Sequence, residues 1–452
     1  MCQLLTGAPK RSLKVDNTVS QVVLYSRPQQ CGFIESIADI SASSAWQESP
    51  WATRTSPWGF LCWKSVMKAT IEIGIVVSTS GSYGAIGQAI CAGAELAIAE
   101  VNADPEARVS LLPRLVDPGG VTAAYADAVQ ELLTSSGITQ VLGCYTSSSR
   151  KEVLPLFEKH DALLWYPSHY EGFETSDNVI YTGAAPNQHV IPLARHLLDN
   201  HGNRGWFVGS NYVWAWENNR ILRESLMETG GTILGERYFP VGETDLGALV
   251  AQIVQDRPDF VFNTLIGESC YEFLRLLRAE AIASGLDQPN QLPVASCSLS
   301  EAELPLIGDA AAGHLSSSVY FSTIDSPENA RFTAQWDGRH RHLGRASADG
   351  EAAYIAVHLL AMAVANAGST CLSEVRAAAR GLRFAAPQGL VTVDPDNLHC
   401  SMRPRIGKST ADGTFEILRE ESSPVRPDPY LVWASAKQKD GRLGPDHLRS
   451  VS

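Results

Sequence analysis

A chain of 452 residues is too long for one ordinary domain and predicts two or three folding units. Hydrophobic residues at 44% and charged residues at 19% mark a globular protein with a sizeable core. A net charge of −13 argues against binding to nucleic acid or an anionic membrane surface.

The first 66 residues carry Trp46, Trp51, Trp58 and Trp63 without a helical or alternating period. The opening stretch breaks after Leu5 and never builds the apolar run of a secretory signal. No stretch approaches the roughly 18 apolar residues of a spanning helix, so no membrane insertion is expected. Patterned sequence begins at Met67, and residues 1–66 read as a mis-assigned upstream start or a disordered, partner-binding leader. The nine cysteines are scattered, with no CxxC or Cys/His cluster. They predict no metal site and fit a reducing, cytoplasmic compartment; a periplasmic location requires a signal at the true N-terminus.

From Thr70 short apolar strands alternate with amphipathic helices. Ile71–Ser78 reads as a buried strand and Gly87–Val101 as a helix, followed by a turn at Asp117–Gly120 and a helix over Val121–Thr134. Strands at Gln140–Gly143 and Ala162–Trp165 flank a helix at Arg150–Lys159. The pattern restarts with a helix at Ile191–Asn200 and the strand Gly205–Val208, then the helix Trp216–Thr229 and the strand Thr232–Tyr238. The helix Leu246–Gln255, the strand Phe260–Leu265 and the helix Tyr271–Ala283 complete that run. A strand-like Ser316–Phe321, a long helix at Gly350–Ala367 and strand-like stretches at Leu390–Val393 and Arg403–Leu418 close the chain.

Alternating strands and helices of these lengths imply parallel sheets with βαβ crossovers. The expected fold is α/β, with two doubly wound parallel-sheet lobes facing each other across a ligand cleft. Crossings near Gly183, Ser317 and Pro387 assign 67–184 and 318–386 to the first lobe, and 185–317 and 387–435 to the second. Residues 436–452 read as a flexible tail.

Four strand ends gather hydroxyl and aromatic residues: Cys144–Ser149, Tyr166–Tyr170, Gly209–Trp214 and Ile266–Ser269. Hydroxyls both donate and accept, and aromatic rings wall a small space, so the lining suits a small neutral polar molecule. Such Ser/Thr runs also cap helices, and Ser147–Ser149 before Arg150 is open to that role alone.

The residues Gly143-Cys144-Tyr145 with Ser147 and Arg150-Lys151, then Tyr166-Pro167 and Tyr170-Glu171-Gly172-Phe173-Glu174, carry a family likeness. It continues in Ala185–Gln188, Tyr320–Ser322, Ala386–Gly389 and Arg426–Tyr430. Together they resemble the cytoplasmic regulators of aliphatic amidase expression and the urea and short-chain amide branch of the type I periplasmic binding proteins. The resemblance implies a cleft that closes by hinge motion on an amide, and a negative regulator acting through a partner antiterminator. The alternative it carries is the substrate-binding component of an ABC transporter, with a permease as partner. Self-association is a further implication. By motif position Ser147, Tyr166, Tyr145 and Ser168 bind the ligand from the first lobe, and Tyr212 and Trp214 from the second. Ser168 replaces a threonine of the amide regulators, and Trp214 replaces a tyrosine. Glu268 stands where urea binders carry an acid, and there accepts from an amide NH2 group or marks a solvated helix start.

No enzyme is expected, since G-x-S-x-G, H-E-x-x-H and Walker A motifs are missing. Gly81–Gly87 has the wrong spacing for a dinucleotide loop and reads as a cleft loop, with no cofactor implied. His169 and His189 have no nucleophile beside them in sequence, and Arg339–His342 reads as a solvated basic run.

Overall fold

The computed structural model describes residues 68–433. The expectations for residues 1–66 and 436–452 lie outside the described residues.

The first sheet takes β1 (Ala69–Val76), β2 (Val109–Val116), β3 (Gln140–Gly143), β4 (Leu163–Tyr166) and β5 (Val179–Tyr181). Their order is β2-β1-β3-β4-β5, and each pairing is parallel. The second sheet begins with β6 (Arg204–Ser210), β7 (Thr232–Phe239), β8 (Phe260–Thr264), β9 (Val294–Ser296) and β10 (Leu315–Ser318). The chain then returns to the first lobe and forms a small antiparallel sheet from β11 (Arg383–Ala386), β12 (Gly389–Val393) and β13 (Cys400–Ser401). Finally β14 (Arg405–Ser409) and β15 (Phe415–Glu420) extend the second sheet to the order β15-β14-β10-β9-β8-β6-β7. Apolar clusters cover both faces of each main sheet, which is why its central strands are apolar without alternation.

Two differences from the sequence reading have physical causes. β2 has no unbroken apolar run because Pro113 and Arg114 interrupt it, and its place at the sheet edge tolerates both. The last crossing, expected near Pro387, comes later. Pro387 sits in the β11–β12 hairpin, where Ala386 pairs with Gly389. Val391, Cys400 and Met402 still pack in the first lobe's core with Ile73 and Trp165. Elsewhere the crossings are bound together: Gln188 Nε2 donates to the carbonyls of Cys400 (3.0 Å) and Val425 (2.8 Å), and Ser317 Oγ donates to that of His189 (2.7 Å).

Helices Gly81–Ala103 and Ala348–Ala367 are long and apolar enough to cross a membrane by length and composition, which the sequence reading did not anticipate. In the structure they are mostly buried, and they pack on each other as the first lobe's central helices. Glycine permits that contact, because a Cβ on Gly93 would lie 1.8 Å from the Gly350 carbonyl oxygen. Gly93→Ala is therefore expected to cost about 1–3 kcal/mol by forcing the helices apart, read from urea unfolding midpoints.

Candidate functional site

Strand ends from both sheets meet across the cleft. A small cavity there is lined by Tyr145, Thr146, Ser147, Ser168, His169, Tyr212, Trp214, Ile266 and Ser298. The first five follow β3 and β4, and the last four follow β6, β8 and β9. Backbone geometry brings the lobes together here. Gly267 adopts φ +57°, and a Cβ on it would lie 2.3 Å from the Ser82 carbonyl oxygen of the opposite lobe.

Of the residues singled out in the sequence, Tyr145, Ser147, Ser168, Tyr212 and Trp214 line this cavity together. Tyr166 lies behind it, buried, and its hydroxyl donates to the Tyr145 carbonyl at 2.7 Å. Glu268 opens the helix Glu268–Ala283 as a single exposed residue and is not among the lining residues. Its carboxylate there faces the positive end of the helix dipole.

The helix after β3 explains how Ser147 is freed for the cavity. Thr146 is the N-cap, accepting from the Ser149 N–H at 3.0 Å, so Ser147 has no capping duty. The Ser147 hydroxyl instead donates to the buried carboxylate of Glu171. One turn on, Arg150 is 0% exposed and pairs with Glu171 at 3.2 Å and Glu174 at 2.7 Å. Its guanidinium lies 4.8 Å from the ring centres of both Tyr166 and Tyr170. Burial pushes the Glu174 carboxyl up, yet Arg150 and Lys151 outweigh it and hold the group down at about 2.

The opposite wall is a donor. Trp214 stacks on Tyr212 at 6.2 Å and meets the edge of His169 at 5.4 Å. Its indole Nε1–H is buried without a hydrogen-bond partner among the described residues, which costs roughly 1–3 kcal/mol until an acceptor arrives. Burial and the neighbouring His189 push His169 down to about 3, so its ring is neutral, with one donor and one acceptor nitrogen.

A second small cavity adjoins the first on the side of the crossings, and His169 is common to both walls. It is lined by Gly183, Ala184, His189, Ser317, Ser318, Val319 and Asp349, among others. Sequence reasoning passed over Asp349 and set His169 and His189 aside. His169 had the one usable signal, since it directly follows Ser168 at a strand end. Neither cavity has a lysine or arginine among its lining residues.

Two facing parallel-sheet lobes with a polar cavity between their strand ends define a small-molecule binding protein rather than an enzyme. The sequence profile described as the periplasmic binding protein domain matches residues 71–436, and the chain belongs to that family. The Leu/Ile/Val-binding protein homolog 6 of Brucella abortus (strain 2308) is 22% identical over 371 residues, covering 80% of this chain and 93% of its own length. The fold is also that of an ABC transporter solute binding protein from Rhodopseudomonas palustris HaA2, solved with p-hydroxybenzoic acid. The TM-score is 0.71 at 21% identity, with 80% of this chain and 99% of that one covered. A leucine binding protein from Thermotoga maritima MSB8 superposes with a TM-score of 0.68 at 16% identity, covering 77% and 98%. The fold is thus the type I periplasmic-binding-protein fold.

Proposed function

We propose that the protein is the substrate-binding component of an ABC transporter for a small neutral ligand carrying both a carbonyl and an NH2 group, of the short-chain amide or urea class. The observation that carries this reading is the Ser147 hydroxyl, whose hydrogen is committed to Glu171. Toward the cavity Ser147 offers a lone pair, which attracts an N–H and repels a carboxylate oxygen. Trp214 Nε1–H supplies the matching donor for a carbonyl. A carboxylate ligand would also be buried without a lysine or arginine on the cavity wall, at a high desolvation cost. The leucine and hydroxybenzoate of the relatives' names are acids, so the transporter context is taken from them and the ligand from the lining. The motifs around Tyr145, Tyr166 and Glu171 support the amide branch. The relatives named above are binding proteins of the transport class, and the regulatory role through an antiterminator gives way to the receptor reading. A receptor works outside the cytoplasm, and cell fractionation separates it from a cytoplasmic sensor.

The test is a calorimetric and thermal-shift panel of acetamide, propionamide, butyramide, urea, formamide, leucine and 4-hydroxybenzoate. Binding to the folded state raises stability by RT ln(1 + [L]/Kd), so amides or urea are expected to raise Tm. A response to leucine or 4-hydroxybenzoate alone overturns the ligand class.

Two substitutions probe the wall. Trp214→Phe removes the orphan donor and is expected to weaken amide binding about two- to tenfold, one neutral hydrogen bond. Tyr212→Phe is expected to act in the same range, because its hydroxyl has no partner among the described residues. Isothermal titration reads both, with unliganded melting as the control for folding.

A further inference from the structure

Asp349 and His189 both line the hinge-side cavity. Asp349 stands in the first turn of the helix Ala348–Ala367 and is 3% exposed. Among the described residues its carboxyl forms no ion pair and no hydrogen bond to another residue. Its acidic neighbours differ: Glu301 accepts from the Ser322 N–H at 2.6 Å, and Glu303 from the Ser300 N–H at 3.1 Å. His189 is 1% exposed, and its Nε2 lies 3.0 Å from the Tyr170 carbonyl. A carbonyl only accepts, so Nε2 carries the hydrogen and Nδ1 is a lone pair. That Nδ1 is buried and has no partner among the described residues. Burial holds the His189 ring neutral, with its pKa pushed down to about 4, so the lone pair persists at neutral pH.

A buried carboxyl and a buried imidazole lone pair on one small cavity suit a group with several donors, and a cationic one also favours the ionised carboxyl over its protonated form. A protonated primary amine has that inventory, with three N–H bonds and a positive charge. A hydroxyl or a single amide N–H satisfies one acceptor and leaves the other. The Tyr145 hydroxyl on the first cavity keeps its proton, its pKa pushed well above the ordinary value by burial and then by the charges of Asp349 and Glu303.

We infer that Asp349 and His189 form a second subsite for the amino nitrogen of a ligand whose amide head lies at Ser147 and Trp214, so that the ligand is an amino-amide. The inference rests on the amide reading above and refines it. His169, on the wall between the two cavities, is the residue that such a ligand passes.

The experiment titrates wild type, Asp349→Asn and Asp349→Ala with glycinamide, 3-aminopropanamide and 4-aminobutanamide, each against acetamide, propionamide or butyramide of matched length. Leucine is the control. The expected result is that at least one amino-amide binds wild type roughly ten- to hundredfold tighter than its plain partner, the worth of a hydrogen bond to a charged group. Both variants should lose that preference while binding the plain amide as before. Their unliganded melting temperatures should equal or exceed wild type, which also shows that they fold. No preference in wild type, or a preference that survives in Asp349→Asn, overturns the subsite and leaves the amide reading standing if plain amides bind. If leucine binds and amides do not, the amide reading fails. In that case loss of leucine binding in Asp349→Asn still supports the nitrogen subsite, and unchanged binding overturns it.

Discussion

Arg150→Met is expected to destabilise the protein by about 3–5 kcal/mol and to abolish ligand binding in whatever fraction folds. The loss comes less from the ion pairs than from what their removal leaves behind. Glu171 is 1% exposed and Glu174 is half-buried or better, so both carboxylates would remain without their buried counter-charge. The two tyrosine faces at 4.8 Å lose a cation worth about 0.5–2 kcal/mol each. Binding fails because Glu171, which holds the Ser147 hydroxyl, is itself held by Arg150. Arg150→Lys should recover little, since one ammonium cannot bond two carboxylates in a plane and stack on two rings. Adding Glu171→Gln and Glu174→Gln to Arg150→Met should restore part of the stability by removing the stranded charges. Chemical denaturation and calorimetry read the two effects separately. A loss under about 1 kcal/mol would mean that water reaches the cluster and that Arg150 does not organise the site.

The contrast between Glu268 and Asp349 shows how far the sequence carries. Each is an acid in the first turn of a helix, and locally each reads as a partner of the helix dipole. Only the path of the chain separates them. Glu268 points out of its helix start into solvent, whereas Asp349 is buried beside the crossing segments, on the hinge-side cavity. Tyr145, Ser147, Ser168, Tyr212 and Trp214 were legible because parallel strands end on a common side, and a short apolar strand reveals its own end. β2 was not, because an edge strand escapes the apolar pattern that marks the centre of a sheet. The turn at Pro387 misled for a related reason, since a proline in a hairpin and a proline at a crossing look alike until their partners are known. The role of Arg150 was hidden as well: its partners Glu171 and Glu174 stand more than twenty residues away in sequence, and charge spacing flags only neighbours on one helix.

Thermal stability is expected to be greatest at mildly acidic pH and to fall by about 5 °C or more between about pH 6 and pH 8.5. The alkaline loss comes from buried acids. Burial pushes Glu301 and Glu303 up to about 7, and Asp349 and Glu351 up to about 8. Each has a folded-state pKa above its unfolded value, so between those two values the native state holds the extra proton. Stability therefore declines as pH rises from the ordinary carboxylate range through about 8, and is flat beyond it. The acid limb has the opposite sign. Burial pushes His189, His314 and His399 down to about 4 and His169 to about 3, so the unfolded chain binds the extra protons below the ordinary histidine range. Glu174, at about 2, adds stability that is lost only as pH falls from the carboxylate range through about 2. Asp349→Asn should make the alkaline limb shallower by one of its four groups, because the amide that replaces the carboxyl has no proton to exchange. Stability that climbs steadily to pH 9 in scanning calorimetry would place these carboxyls in contact with water. An amino-amide bound at Asp349 should restore stability selectively at the alkaline end, where the carboxylate is ionised and the ammonium neutralises it. The pH profile with and without that ligand thus measures the charge at the second subsite independently of affinity.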